Sequence, residues 1–183
     1  LDAYIKTLQA RYYSYMGTRE GNTKARQLVE EAIATAPDYA YAYRVLGVTH
    51  ILDFYLGMSE SPKKSITLAM AAYKKAVALD GSLASAWAGM GYVQVLMRNY
   101  DEAIRLGKKA FDLEPNSPDV IQAYAAILNF DGQWEKAIPL FRLSLRLNPK
   151  PPMSYYRSFG HALRLSGQHE EAMALLKKAI EQE

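Results

Sequence analysis

A 34-residue period runs through this sequence and leaves few folds open to it. Aligning "SAWAGMGYVQVLMRNYDEAIRLGKKAFDLEPNS" with "DVIQAYAAILNFDGQWEKAIPLFRLSLRLNPK" sets Gly91 over Ala125, Ala103 over Ala137 and Pro115 over Pro149, each 34 residues apart. The marks return at Gly160, Ala172 and Ala179, and an earlier unit carries Gly47, Ala76, Leu79 and Asp80. A repeat of this length is one supersecondary unit that buries its apolar face only by stacking on copies of itself.

Inside a unit the apolar residues recur at three- and four-residue spacing, as helices require. Trp87, Met90, Gly91 and Gln94 form one stripe, and Ala103, Gly107, Ala110 and Phe111 the next. Small residues at Gly91 and Ala103 let two helices approach closely. Arg98-Asn99-Tyr100-Asp101 supplies the turn, Asp101 and Glu102 put negative charge on the second helix's positive N-terminus, and Pro115 stops that helix.

The helix–turn–helix period, with "W--MG", "YDEA" and "A--LEP" in phase, resembles the tetratricopeptide repeat (TPR). The resemblance implies an all-α, right-handed TPR solenoid of about five repeats in a single domain, near 1–39, 40–83, 84–117, 118–152 and 153–183. The second unit is long: Gly47 to Ala76 is 29 residues where Gly91 to Ala110 is 19. The extra ten fall around 53–65, with Ser61 as N-cap and Pro62 opening a helix. They lengthen the hairpin by a turn or two on each side, or project a contact for another domain.

Composition narrows the functional classes. With 183 residues, half hydrophobic and 22% charged, the chain can bury a substantial core. Cysteine is absent, which excludes disulfides and thiol catalysis. No apolar run spans a bilayer, no signal-peptide pattern occurs, and the net charge of +3 is spread rather than clustered, so no membrane or nucleic-acid partner is expected. Leu1 at the start, and Glu183 at a repeat boundary with no capping helix after it, suggest a piece of a longer protein.

No metal, cofactor or catalytic residue is expected either. His50, His161 and His169 lack metal-ligand spacing, "HEEA" lacks the second histidine of a zinc-protease helix, and "GMGYVQ" lacks the third glycine and the preceding strand of a dinucleotide loop. Of the fourteen tyrosines, Tyr43, Tyr73, Tyr100, Tyr124 and Tyr156 fall on packing positions.

In the TPR family the first helix of each unit lines a concave groove that holds peptides. Carrying that face over gives Tyr41, Arg44, Val48 and Ile51 in the second unit, and Ser85, Ala88, Tyr92 and Val95 in the third. The fourth gives Asp119, Gln122, Ala126 and Asn129, the fifth Ser154, Arg157, His161 and Arg164, and Tyr4 and Arg11 are candidates in the first. The middle units have no basic residue here, so the carboxylate clamp of Hsp70/Hsp90 co-chaperones is not reproduced. Two readings of the arginines are open: they receive an acidic-hydrophobic peptide or neighbouring domain, or they are merely solvated.

The opening "YIKTLQARYY", the long second unit "LGVTHILDFYLGMSESPKKSI" and the ending "LNPKPPMSYYRSFGHALRLSGQHEEA" are together similar to the TPR region C-terminal to the catalytic domain of some bacterial class III adenylate/guanylate cyclases. That similarity implies a cytoplasmic regulatory or protein-interaction module attached to a cyclase, with a protein or peptide partner that could be the cyclase domain of the same chain. The cyclase's own motifs do not occur in this segment, which is not expected to be an enzyme. A free-standing scaffold or adaptor is the alternative.

The proline cluster in "LNPKPPMSYY" tests whether the chain is one object. Pro149 to Gly160 is 11 residues where Pro115 to Ala125 is 10. The phase survives a one-residue insertion, so the stretch reads as a stiffened joint rather than a linker or a Pro-x-x-Pro ligand, with Pro152 starting the next helix.

Overall fold

The structure, a computed structural model, describes residues 1–180. The last three residues of the expected fifth unit lie outside the described residues. Ten helices follow one another: α1 (Asp2–Tyr15), α2 (Arg19–Thr35), α3 (Ala40–Leu56), α4 (Pro62–Leu79), α5 (Ala84–Leu96), α6 (Tyr100–Leu113), α7 (Pro118–Phe130), α8 (Trp134–Leu147), α9 (Met153–Leu165) and α10 (His169–Ile180). Among the described residues there is no strand.

Each odd-numbered helix packs on the even-numbered helix after it, and the hairpins stack through α2–α3, α4–α5, α6–α7 and α8–α9. The odd helices also touch in series, α1 on α3, α3 on α5, α5 on α7 and α7 on α9. Among the described residues, no two even helices bring Cα atoms within 8 Å. Helices that crowd together line the inside of a curve, so the odd helices form the concave face and the even ones the convex face. This is the TPR solenoid.

Each hairpin turn contains one residue in the left-handed region: Gly17, Gly57, Gly132, Gly167 and, without the freedom of glycine, Arg98 at φ 59°. Even helices open on acids, with Glu20 in α2, Asp101 and Glu102 in α6, Glu135 in α8, and Glu170 and Glu171 in α10. α4 alone opens without one. Tyr73, buried in α4, lies where a Cβ on Gly47 would come within 2.6 Å and one on Gly89 within 2.4 Å of its ring. The two glycines are the slot that admits it.

The long second unit divides its extra residues between both helices and the loop. α3 has 17 residues and α4 18, against 13 in α5 and 14 in α6. Ser61 Oγ caps α4 by accepting from Lys64 N–H at 3.2 Å, with Pro62 in the first turn. The last turn of α3 is tied back to α2. Buried Asp53 accepts from Asn22 Nδ2 at 2.8 Å and from Arg26 Nη2 at 2.7 Å, and Arg19 Nη2 donates to the Leu56 carbonyl at 2.6 Å.

Across the prolines, α8 and α9 share one core. Phe141 and Phe159 stack with ring centroids 5.5 Å apart, beside Leu163 and Leu175, and Arg142 pairs with Glu171 at 2.6 Å. Pro152 is not the first helical residue but the N-cap, with extended backbone (ψ 150°), and α9 starts one residue later at Met153. The correction has a simple cause: Lys150 N–H donates to Asn148 Oδ1 at 3.3 Å, which holds this connection in a turn and leaves the chain extended at Pro152.

Candidate binding groove

The concave face carries two recesses that meet at Tyr92. The smaller, about 220 Å³, lies over the N-terminal halves of α3, α5 and α7, between Arg44, Val48, Ser85 and Asp119, with Tyr73 in its floor. The larger, about 600 Å³, lies over the C-terminal halves of the odd helices. Leu52, Tyr55 and Phe130 make its apolar wall, and Asn129, Arg157 and His161 its polar one. Gly17, in the turn after α1, borders it, so every odd helix or the turn that follows it contributes.

Hydrogen bonds fix most of these side chains. The Tyr55 and Tyr92 hydroxyls pair, and the Tyr92 ring meets Phe130 edge-on at 6.1 Å. Tyr155 donates to Asp119. Arg11 Nη1 donates to the Tyr41 hydroxyl at 3.2 Å, and the Arg44 guanidinium lies 5.6 Å from the same ring. Asn129, 5% exposed, donates from Nδ2 to His161 Nδ1 at 3.1 Å, which places the imidazole proton on Nε2. Among the groove residues, two buried polar atoms lack a hydrogen-bond partner, Asn129 Oδ1 and Arg44 Nε.

The groove carries more positive than negative charge: Arg44 lines the smaller recess together with Asp119, Arg157 lines the larger, and Arg11 bonds to Tyr41. Burial pushes the Tyr73 hydroxyl up to about 12. Burial, reinforced by Tyr55, raises that of Tyr92, and burial with the bond to Asp119 raises that of Tyr155. Burial, then the Arg164 charge, lowers His161, which keeps it neutral. Among the described residues no group of three or more His, Asp or Glu is arranged to hold a metal, and no helix is long and apolar enough to cross a membrane.

Of the residues expected on this face, Arg44, Val48, Ile51, Ser85, Ala88, Tyr92 and Asp119 border the smaller recess, and Tyr92, Ala126, Asn129, Arg157 and His161 the larger. Tyr41 sits at the rim with Arg11. Gln122 does not face the groove. It is buried against α8, where Ser144 Oγ donates to its Oε1 at 3.4 Å, because Ser144 is small enough to admit it. Val95 is buried against Ala103 and Ile127. Arg164 is exposed and borders neither recess, and Tyr4 is exposed with no contact across the groove. The sequence reading missed Leu52, Tyr55, Leu56 and Phe130. Extending the α3 stripe by four from Ile51 into the inserted turn reaches Tyr55, and that was the available signal.

Comparison with known proteins agrees with this architecture. Residues 154–183 match the family model of the tetratricopeptide repeat. Over 84 residues, 46% of this chain and 24% of the relative, the sequence is 36% identical to small glutamine-rich tetratricopeptide repeat-containing protein 2 of Mycosarcoma maydis. The chain spans less than a quarter of the length of the curated relatives it matches. A thermophilic TPR protein of Thermus thermophilus superimposes with a TM-score of 0.63 at 21% identity, over 84% of this chain and 73% of that one. YrrB, described as a TPR protein with an unusual peptide-binding site, superimposes with a TM-score of 0.54 at 18% identity, over 98% of this chain and 86% of that one.

Proposed function

We propose that this TPR solenoid is a protein–protein interaction module whose concave groove holds a segment of a partner protein in which acidic residues flank apolar anchors. The observation that carries the reading is the pair of recesses meeting at Tyr92, with an apolar wall of Leu52, Tyr55 and Phe130 and with Arg44 and Arg157 at their borders. An apolar anchor would sit among Leu52, Tyr55 and Phe130, and a carboxylate would meet Arg157. YrrB, a structural neighbour, is described by its peptide-binding site, which supports a peptide ligand for this fold. The work proposed for the chain is binding.

The test is selection of short peptides from a random library on the immobilised chain, followed by titration. Acidic-apolar sequences are expected, with affinity lowered at least tenfold by Arg157→Glu and by Tyr92→Ala. Neutral or basic sequences, or affinity indifferent to both substitutions, would refute it.

The finer reading is that the module regulates a bacterial adenylate/guanylate cyclase in cyclic-nucleotide signalling, in the cytoplasm, with the cyclase domain of its own chain as a partner. Its support is the sequence similarity of the opening, the long second unit and the ending to cyclase-associated TPR regions. A parent protein with a cyclase domain upstream, whose basal activity changes when residues 1–183 are removed, is the expected outcome. A parent without one would leave the free-standing adaptor as the reading.

A further inference from the structure

The long second unit borders a second surface that shares no lining residue with the groove. Between the first half of α4 and the C-terminal end of α5 lies a recess of about 530 Å³. Ile66, Met70, Leu96 and Met97 form its floor, and Lys63 and Lys74 stand at its rim. Met97 is 57% exposed at the C-cap of α5, a position that α1 also fills with an exposed methionine, Met16, and that α7 and α9 fill with Asp131 and Ser166. An apolar side chain at a turn that is otherwise polar leaves oily surface in water.

The charges point to the kind of partner. α4 carries Lys63, Lys64, Lys74 and Lys75 and no carboxylate, and is the even helix without an acid in its first turn. Two lysines at a helix N-terminus oppose the helix dipole. Lys64 is offset by Glu60 at 2.8 Å and Lys75 lies over the Tyr43 ring, whereas Lys63 and Lys74 have no acidic partner among the described residues. Lys63 and Lys74 are separated by about 16 Å along the helix at 1.5 Å per residue, the length of three helical turns. Methionines in the floor adapt to varied apolar side chains.

We infer that this recess docks an acidic amphipathic helix of a partner protein, about three turns long, with its apolar stripe on Met70 and Met97 and carboxylates reaching Lys63 and Lys74. The module would then hold one partner in its groove and a second between α4 and the end of α5.

The probe is a library of three-turn helical peptides, randomised at every exposed position and selected on the Arg157→Glu chain so that the groove does not dominate. The expected result is enrichment of peptides with Asp or Glu flanking an apolar stripe. They should shift the methyl resonances of Met70 and Met97 and lose at least tenfold in affinity on Lys63→Glu/Lys74→Glu, with basic versions of the same peptides binding that variant instead. Basic or uncharged winners, or affinity unchanged by Lys63→Glu/Lys74→Glu, would overturn the inference. So would co-sedimentation with phosphatidylserine vesicles that needs the same lysines while no peptide is enriched, which would make the face a membrane contact.

Discussion

Tyr73 shapes the groove from behind. It belongs to a convex-side helix, yet its ring passes between Gly47 and Gly89 and reaches the floor of the smaller recess. A methyl group on Gly89 must displace a fully packed ring, so Gly89→Ala is expected to cost about 1–3 kcal/mol in urea denaturation. Arg98 is the converse case: its left-handed backbone suits glycine, and Arg98→Gly is expected to raise stability by about 1 kcal/mol in the same measurement. The sequence showed Gly91 and Ala103 as places where helices come close, and Gly47 as a mark of the repeat. It could not show that Gly47 and Gly89 serve one tyrosine in another helix, because that pairing exists only once α3, α4 and α5 are stacked. Gln122 marks the same limit from the other side. Its place on the α7 stripe suggested the groove, but a small residue on α8 drew it inward.

The long hairpin behaves differently on its two sides. Its α3 turn is sewn to α2 through Asp53, while its α4 turn borders the recess shared with the end of α5. Its length was legible from the interval between small residues. The attachment was not, since Asn22, Arg26 and Asp53 are ordinary surface residue types separated by about thirty positions. Asp53→Ala would leave Arg26 and Asn22 without their shared acceptor, and a loss of about 3 kcal/mol is expected. His50 lies in the same cluster, with Nδ1 3.6 Å from Asp53 and no hydrogen-bond partner. Burial, then the Arg26 charge, hold it well below its usual 6.5, against the pull of Asp53. The unfolded chain therefore takes up a proton on His50 as pH falls through about 6.5, while the folded chain resists it until lower pH. Stability should be flat in this respect above pH 6.5 and decline below it, and His50→Gln should flatten that decline in denaturation curves recorded across the range.

At the scale of the molecule, stability passes between neighbouring hairpins, and the groove is what the odd helices enclose when they stack. The proline stretch reads from its phase as a joint, and the shared Phe141–Phe159 core across it agrees, apart from the one-residue shift at Pro152. Phe141→Ala is expected to cost about 3–5 kcal/mol, with amide exchange quickening in α9 and α10 before it changes in α1–α6. The period carried the fold and most of the groove's lining, because spacing along a helix fixes which side a residue faces. It did not carry the curvature that brings Gly17 and Tyr55 to the same recess as Arg157. Whether that recess is where a partner binds can be asked directly, by placing a photocrosslinking residue at Ala126 and, in a separate chain, at Arg146 on the convex side, and sequencing what each captures in cells. The groove position should capture a segment with acids beside apolar anchors, and lose it when Arg157→Glu is added. Equal capture from Arg146, or capture at Ala126 that survives Arg157→Glu, would contradict the assignment.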